Sequence, residues 1–541
     1  MSYTEDRRRQ ATADVRQQTA GCRGQWDTVP ICYLPPVASR LPPAACSCPI
    51  DPAHRRGHTA PAMTTRSPSP LDLDHATMQR LGRQVADAVA GHLASLRDQR
   101  VLTNGLPTAT RQRIAAPPDE TPVSFDHLLQ TLQTDVFPYS AREPHPRFMA
   151  YVPGCPSFPA VMGDWLATGY NFFAGVWPVA EGPNALELAV LEWFRQWIGM
   201  PAGTGGLLTN GGSGATLTAI IAARHAAVGD DASRLARLTL YASDQAHSAA
   251  LRAAWIAGVP RDQVRVLPSD ADYRLRASDV RRAIARDRAA GLIPLAVVVS
   301  AGTTNTGAVD PLDEIADVCT AEGTWLHADA AYGGFAALTE RGAHMLSGLG
   351  RCDSVALDPH KWLFVPFECG SLLVREPERL RAAFQVLPDY LRDVAAGQDA
   401  VNFADYGEQL TRQSRALKVW LGVKYFGLAA IRGEIDRAID HAAYAEHLVR
   451  SQPLLEVMSP AQLGVLCFRV HPAGMDDGPA LDAFNERVNA AMSADGRYFI
   501  SSTRLRGAFT LRLCILGFRT TAADVEGLIR TVVEVARQAG A

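Results

Sequence analysis

The sequence predicts an α/β fold. A large domain is built on a mainly parallel central sheet, a helical N-terminal segment precedes it, and a small α+β domain closes the chain. Three observations carry this. From about residue 205 short apolar runs alternate with amphipathic helical stretches, the pattern of a sheet covered by helices on both faces. One run, "IPLAVVVSAGTT", is apolar almost throughout, as a strand buried on both faces must be. The segments on either side are helical at the N-terminus and mixed at the C-terminus.

Residues 1–62 are rich in proline and arginine and show no helical or strand period. A stretch such as "LPPVASRLPPAACSCP" cannot build a packed core, so the segment reads as a disordered leader. No apolar region follows its charged start, so it is not a secretory signal, and Met63 is the expected natural start. Residues 63–144 form the helical segment: Met78, Leu81, Val85, Val89 and Leu93 recur at spacings of three and four. A proline-rich link at 116–122 leads into "SFDHLLQTLQTDVF", again apolar on one face.

The large domain is expected over 145–427. Its strands are "RLTLYAS", "QVRVLPS", "IPLAVVVS", "GTWLHAD" and "CDSVALD", with helices such as "RASDVRRAIARDRAAG" and "PLDEIADVCTAEG" between them. In such sheets ligands sit where strands end and loops begin. The small domain is expected over 428–541, with strands "LGVLCFRV", "RYFISS" and "AFTLRLCIL" and a closing helix from Ala522.

The 541 residues allow two or three domains. A net charge of −3 argues against a nucleic-acid partner. No apolar run reaches the roughly 18–20 residues of a membrane span. Of ten cysteines, Cys22, Cys32, Cys46 and Cys48 fall early and the rest are scattered singly through core-like segments, which reads as reduced thiols. Cys46 and Cys48 complete no paired Cys or His motif, and no metal centre is expected.

Three segments carry chemistry. "LLTNGGSGATLTAII" is a glycine-rich turn opening a helix; Gly211, Gly212 and Gly214 let backbone approach a ligand, Ser213 adds a hydroxyl, and the helix N-terminus favours an anion. It lacks both the P-loop and the dinucleotide spacing. In "LHADAAYGG", Asp329 ends an apolar strand; alone it reads equally as a structural carboxylate, and a site shared with His327 lacks an evident third ligand. The third is "DPHKW". The chain has only three lysines, Lys361, Lys418 and Lys424, so chemistry that needs an amine has three candidates. Lys361, between apolar segments, suits a Schiff-base nucleophile. Together, an anion cradle, a strand-end carboxylate and a half-buried amine on one sheet describe a site for pyridoxal phosphate. The phosphate goes to the helix N-terminus, the ring nitrogen to Asp329 and the aldehyde to Lys361, with His247 of "YASDQAHSA" a candidate to stack on the ring.

These residues bring a family into view. The chain resembles the group II pyridoxal-dependent amino-acid decarboxylases, aromatic-L-amino-acid branch, from about residue 70 to its end. The motifs are "HPRFMAYVP" (145–153), "GGSGATL" (211–217), "SDQAHSA" (243–249), "AGTTNTGAVDPL" (301–312), "HADAAYGG" (327–334) and "DPHKWL" (358–363). The resemblance implies a fold-type I architecture, like that of aspartate aminotransferase, and a homodimer whose helical N-terminal segment wraps the partner. It makes Lys361 the cofactor-binding lysine, Asp329 the partner of the ring nitrogen, and Ala331 and His247 the two ring faces. Gly212 and Ser213 would hold the phosphate, with Thr304 and His360 also at the cofactor. Tyr151 and Pro153 would line the substrate pocket, and Tyr390, with His247 as a second catalytic group, would return a proton to the substrate carbon; tyrosine at 390 favours decarboxylation over aldehyde formation.

Two positions depart from the family pattern. Asp358 stands where asparagine is common; an ionised aspartate cannot donate to phosphate, so it is expected to point away. Thr411 replaces a glycine or serine linked to ring preference. Trp177, Phe172 and Phe173 in "NFFAGVWPVAEGP", with Tyr151, suit an aromatic substrate. Glutamate-type decarboxylation and aldehyde synthesis stay open as alternatives. The expected location is the cytoplasm.

Overall fold

The valine-rich run at 293–300 lies near the middle of the larger of two sheets, its last six residues all buried. The computed structural model describes residues 69–118, 120–386 and 400–540. The expected leader at 1–62, Met63 and Tyr390 lie outside them. Asp74–Ala541 is one compact unit; of the other, Met1–Leu73, residues 69–73 are described and carry no helix or strand.

Among the described residues twelve strands form two sheets. They are β1 (Phe148–Met149), β2 (Gly205–Thr209), β3 (Leu238–Ser243), β4 (Val264–Leu267), β5 (Ile293–Ser300), β6 (Trp325–Asp329), β7 (Ser354–Leu357), β8 (Gly370–Val374), β9 (Leu455–Gln462), β10 (Val465–Val470), β11 (Phe499–Leu505) and β12 (Ala508–Cys514). The larger sheet has the order β2-β8-β7-β6-β5-β3-β4. From β7 to β4 every pairing is parallel. β8 runs antiparallel to both β7 and β2. The sequence does not show this reversal, because a strand buried on both faces reads the same in either direction.

The smaller sheet has the order β1-β11-β12-β10-β9. Its edge strand β1 comes from "HPRFMAYVP", hundreds of residues upstream, and pairs Phe148 with Phe499 in parallel. The sequence does not announce β9; its stretch LEVMSPAQ carries a proline and only a ragged burial pattern.

Eight of the helices are numbered in chain order: α1 (His75–Ala94), α2 (Phe158–Tyr170), α3 (Glu181–Trp197), α4 (Gly212–Val228), α5 (Ser248–Ile256), α6 (Ala416–Arg450), α7 (Pro479–Asp495) and α8 (Ala522–Gln538). Asp74 caps α1 through the Thr77 amide at 2.8 Å, yet no residue of α1 is buried within the chain. A mostly apolar cleft of about 710 Å³ runs beside it, lined by Val85, Val89, Leu128, Leu132 and Phe137. α8 opens with a reciprocal capping box between Thr521 and Asp524. Asp524 also accepts from Arg97 at 3.1 Å and Arg147 at 3.3 Å, tying the closing helix to the N-terminal segment.

A buried ion pair fixes the entry to β2. Glu187 on α3 accepts from Arg412 at 2.7 Å and from the Leu208 amide at 2.8 Å, both side chains being almost fully enclosed. Arg412 also donates to the carbonyls of Leu208 and Ala174. The fixed fork of an arginine can satisfy all three acceptors at once.

Candidate active site

The parallel strands end on one rim, and the turns that follow β2, β3, β5, β6 and β7 meet there. β2 runs into Asn210 and Gly211. Gly211, at φ 123°, adopts a backbone that a side chain would strain, and the chain turns from it directly into α4. Gly212 faces the cavity wall so closely that a Cβ there would lie 2.8 Å from the methyl of Ala331 and 3.2 Å from an Asp358 oxygen. Gly211 and Gly212 leave the backbone at the start of α4 open to close approach, a backbone cradle for an anion.

β3 ends just before His247, which caps α5. Its Nδ1 accepts from the Ala249 amide at 3.2 Å, so the remaining proton of the neutral ring sits on Nε2. β6 ends in Asp329, one of whose oxygens accepts from the Ala331 amide at 3.2 Å. Burial raises the pKa of Asp329, with the positive charge of Lys361 working in the opposite direction. Its strand neighbour His327 is structural: Nδ1 meets Ser354 at 2.9 Å, Nε2 meets Thr216 at 3.2 Å, and burial pushes its pKa down to about 3. No cluster of His, Cys, Asp and Glu suited to a metal is found among the described residues.

β7 runs into the "DPHKW" turn. Lys361 Nζ lies 3.0 Å from Asp358 Oδ2. His360 donates from Nδ1 to the Cys369 carbonyl at 2.7 Å, and burial lowers its pKa, so the ring is held neutral. These turns enclose a cavity of about 330 Å³, whose walls include Gly212, Ser213, His247, Thr304, Asp329, Ala331, His360 and Lys361. All eight residues expected at the cofactor are thus brought together. Its volume falls in the range of about 300–1,000 Å³ usual for small-molecule sites.

The other two lysines are accounted for elsewhere. Lys418 Nζ is buried against Asp164 at 2.8 Å and the carbonyls of Pro366, Phe367 and Glu368. Lys424 lies over the Trp193 ring at 5.4 Å. The amine that the cavity offers is Lys361.

The model of the pyridoxal-dependent decarboxylase conserved domain matches residues 107–471. The chain belongs to the pyridoxal-dependent decarboxylase family. A relative called aromatic-L-amino-acid decarboxylase, from Bacillus atrophaeus, is 35% identical over 469 residues, covering 86% of this chain and 97% of its own. A histidine decarboxylase of Rattus norvegicus is 31% identical, covering 83% of this chain and 69% of its own. In three dimensions the chain is similar to Oryza sativa TDC, solved with PLP and tryptamine, at a TM-score of 0.83 and 28% identity over 87% of this chain and 99% of that one.

The pyridoxal-dependent decarboxylase is therefore a carboxy-lyase of fold type I, and its walls fit pyridoxal phosphate on their own chemistry. A glycine-rich helix N-terminus, a carboxylate at a strand end and an amine line one cavity.

The cavity does not include every expected residue. Tyr151, Pro153 and Trp177 do not line it. Tyr151 is 61% exposed with its ring edge-on to Phe499, and the Trp177 amide is held by Asn402 at 2.8 Å. Asp358 requires a correction. It does not point away: it is 3% exposed, faces the cavity, and one of its oxygens has no partner. The attraction of Lys361 turns it inward, a contact three residues away that the sequence shows only as spacing. Sequence reasoning also missed Asn210, Phe367 and Glu368 in the walls. Asn210 directly precedes the glycine turn, a signal that was there to use; "PFE" carries no such signal.

Proposed function

We propose that this decarboxylase acts on an aromatic L-amino acid, releasing the amine and carbon dioxide. The observation that carries the substrate class is the charge of the cavity wall. Lys361, His247 and His360 are its basic side chains, and no arginine is found among the described residues that line it. A glutamate side chain would meet no fixed cation there beyond groups committed to the cofactor. The Bacillus relative, named for aromatic substrates, supports the same reading. The histidine decarboxylase relative supports a second one, in which the ring is an imidazole.

Bound pyridoxal phosphate supplies an electron sink for the charge left behind when a carboxylate departs. Lys361 would hold the aldehyde end. Asp329 would keep a proton on the ring nitrogen. His247, fixed as the cap of α5 with Nε2–H available, and Ala331 would pack against the ring. The amides at Gly212 and Ser213 would hold the phosphate. Tyr390 is the proposed donor of a proton to the substrate carbon, and Tyr151, Pro153 and Trp177 complete the substrate pocket.

The enzyme works as a homodimer, with α1 packed on the partner. The unburied apolar face of α1 and the cleft beside it support this. No helix among the described residues is long and apolar enough to cross a membrane.

Product identification by mass spectrometry tests the proposal. The protein with pyridoxal phosphate is incubated with tryptophan, tyrosine, phenylalanine, dopa, histidine and glutamate. Tryptamine, tyramine, phenethylamine or dopamine is the expected product. Histamine alone selects the imidazole reading, amine from glutamate alone discards the aromatic pocket, and aldehyde with peroxide overturns the role given to Tyr390.

A further inference from the structure

Asp358 is a buried charged group of the cavity that the reaction does not use. It is 3% exposed, and only Oδ2 is engaged, by Lys361 at 3.0 Å. Oδ1 is buried with no hydrogen-bond partner. Both oxygens lie within 3.5 Å of the point that a Cβ on Gly212 would reach, at the mouth of the α4 cradle. The carboxylate therefore stands beside the position that suits a phosphate.

The groups around it decide its charge. From its own turn come Lys361 and His360; from the end of β6, Asp329; from the start of α5, His247; and from the segment before β8, Glu368 and Cys369. His360 is no counter-ion: burial holds it neutral, its ring proton on Nδ1 is committed to Cys369, and Nε2 faces Asp358 bare at 3.6 Å. Asp329 and Glu368 carry the same sign as Asp358. Lys361 is thus the cation in contact with Asp358, and it is also the amine that the cofactor claims.

We propose that Asp358 is a proton-linked ligand of the cofactor phosphate. Before loading it is ionised and holds Lys361. On loading it loses Lys361 to the aldehyde, meets the phosphate, and takes one proton from solvent. That proton sits between the carboxyl and a phosphate oxygen, turning Asp358 from acceptor to donor. The reason is that two anions in contact in a site with little water cannot both stay ionised. At Asp358 itself only an O–H bond forms; the Lys361 amine condenses with the aldehyde and releases one water, in wild type and variants alike. An asparagine at this position would donate without taking up a proton, so aspartate makes cofactor loading sensitive to pH where asparagine would not. The inference rests on the pyridoxal-phosphate reading of the cavity.

The test is a count of protons, independent of turnover. Cofactor-free wild type, Asp358→Asn and Asp358→Ala are titrated with pyridoxal 5′-phosphate in a calorimeter, in two buffers of different ionisation enthalpy, across pH 7–9. Circular dichroism confirms that each is folded. Wild type is expected to take up about one more proton per site than either variant. Its affinity relative to Asp358→Asn falls by up to about tenfold per pH unit, the slope of a one-proton linkage. The alanine variant, should asparagine not fold, gives the same proton count with weaker binding. Equal proton counts in wild type and a folded variant overturn the proposal. No binding by wild type overturns the cofactor reading instead.

Discussion

Lys418 Nζ sits 2.8 Å from Asp164 Oδ1, with the lysine 2% and the aspartate 29% exposed. The same ammonium donates to the carbonyls of Pro366, Phe367 and Glu368. A buried lysine has thus become the support of one cavity wall.

Lys418→Met should lower stability by about 3 kcal/mol, the low end for a broken buried pair, because Asp164 can rehydrate. Denaturant unfolding measures this. Pyridoxal phosphate should still give its near-visible absorbance band in Lys418→Met and lose it in Lys361→Ala. A band that survived in Lys361→Ala would move the cofactor amine to another residue.

Asp329→Asn should fold normally and lose about 10²–10³-fold in kcat, the scale of removing one preorganised electrostatic partner. Burial raises the pKa of Asp329, and its proposed role requires the carboxylate. Activity should therefore fall as pH drops through a value above the ordinary carboxylate range of about 3.9. The pH profile of kcat/KM reads this limb directly.

Arg412→Met strands Glu187 at a depth where neither side chain is more than 1% exposed. The expected loss is about 3–5 kcal/mol. The double variant Arg412→Met with Glu187→Leu should recover part of it, since the uncompensated charge goes too. A chemical denaturation series on all three proteins is the check.

Asp310 is fully enclosed, and burial pushes its pKa up to about 6 although it accepts from the amides of Leu275 and Ser300, each at 2.7 Å. A carboxyl whose folded pKa is raised stabilises below its unfolded value and loses that contribution as pH climbs toward 6. Relative to Asp310→Asn, wild-type stability should decline by up to about 1.4 kcal/mol per pH unit between pH 4 and 6. Unfolding midpoints at several pH values in that window test the sign.

Much of this site was legible in the sequence. Scarcity of lysine reduced the amine to three residues, a glycine turn before a helix marked the anion end, and Asp329 followed an apolar run. Direction was not legible. Whether β8 runs up or down the sheet, and whether Asp358 faces in or out, depend on contacts between segments that local pattern does not encode. The Phe367–Glu368 wall was hidden for the same reason: its place follows from Lys418, about fifty residues downstream.

The reversal of β8 has a mechanical consequence. β7 and β8 are adjacent and antiparallel, with Leu357 opposite Ser371, so residues 358–369 are the tip of a long hairpin. Lys361, the proposed cofactor amine, rides on that tip. A slip of one residue in the pairing would carry one stem about 3.3 Å along the other and turn its side chains to the opposite face. The reach of Lys361 toward Asp329 is therefore set by the pairing register of two short strands, and anything that loosens Ser354–Leu357 against Gly370–Val374 detunes the chemistry without touching a cavity residue.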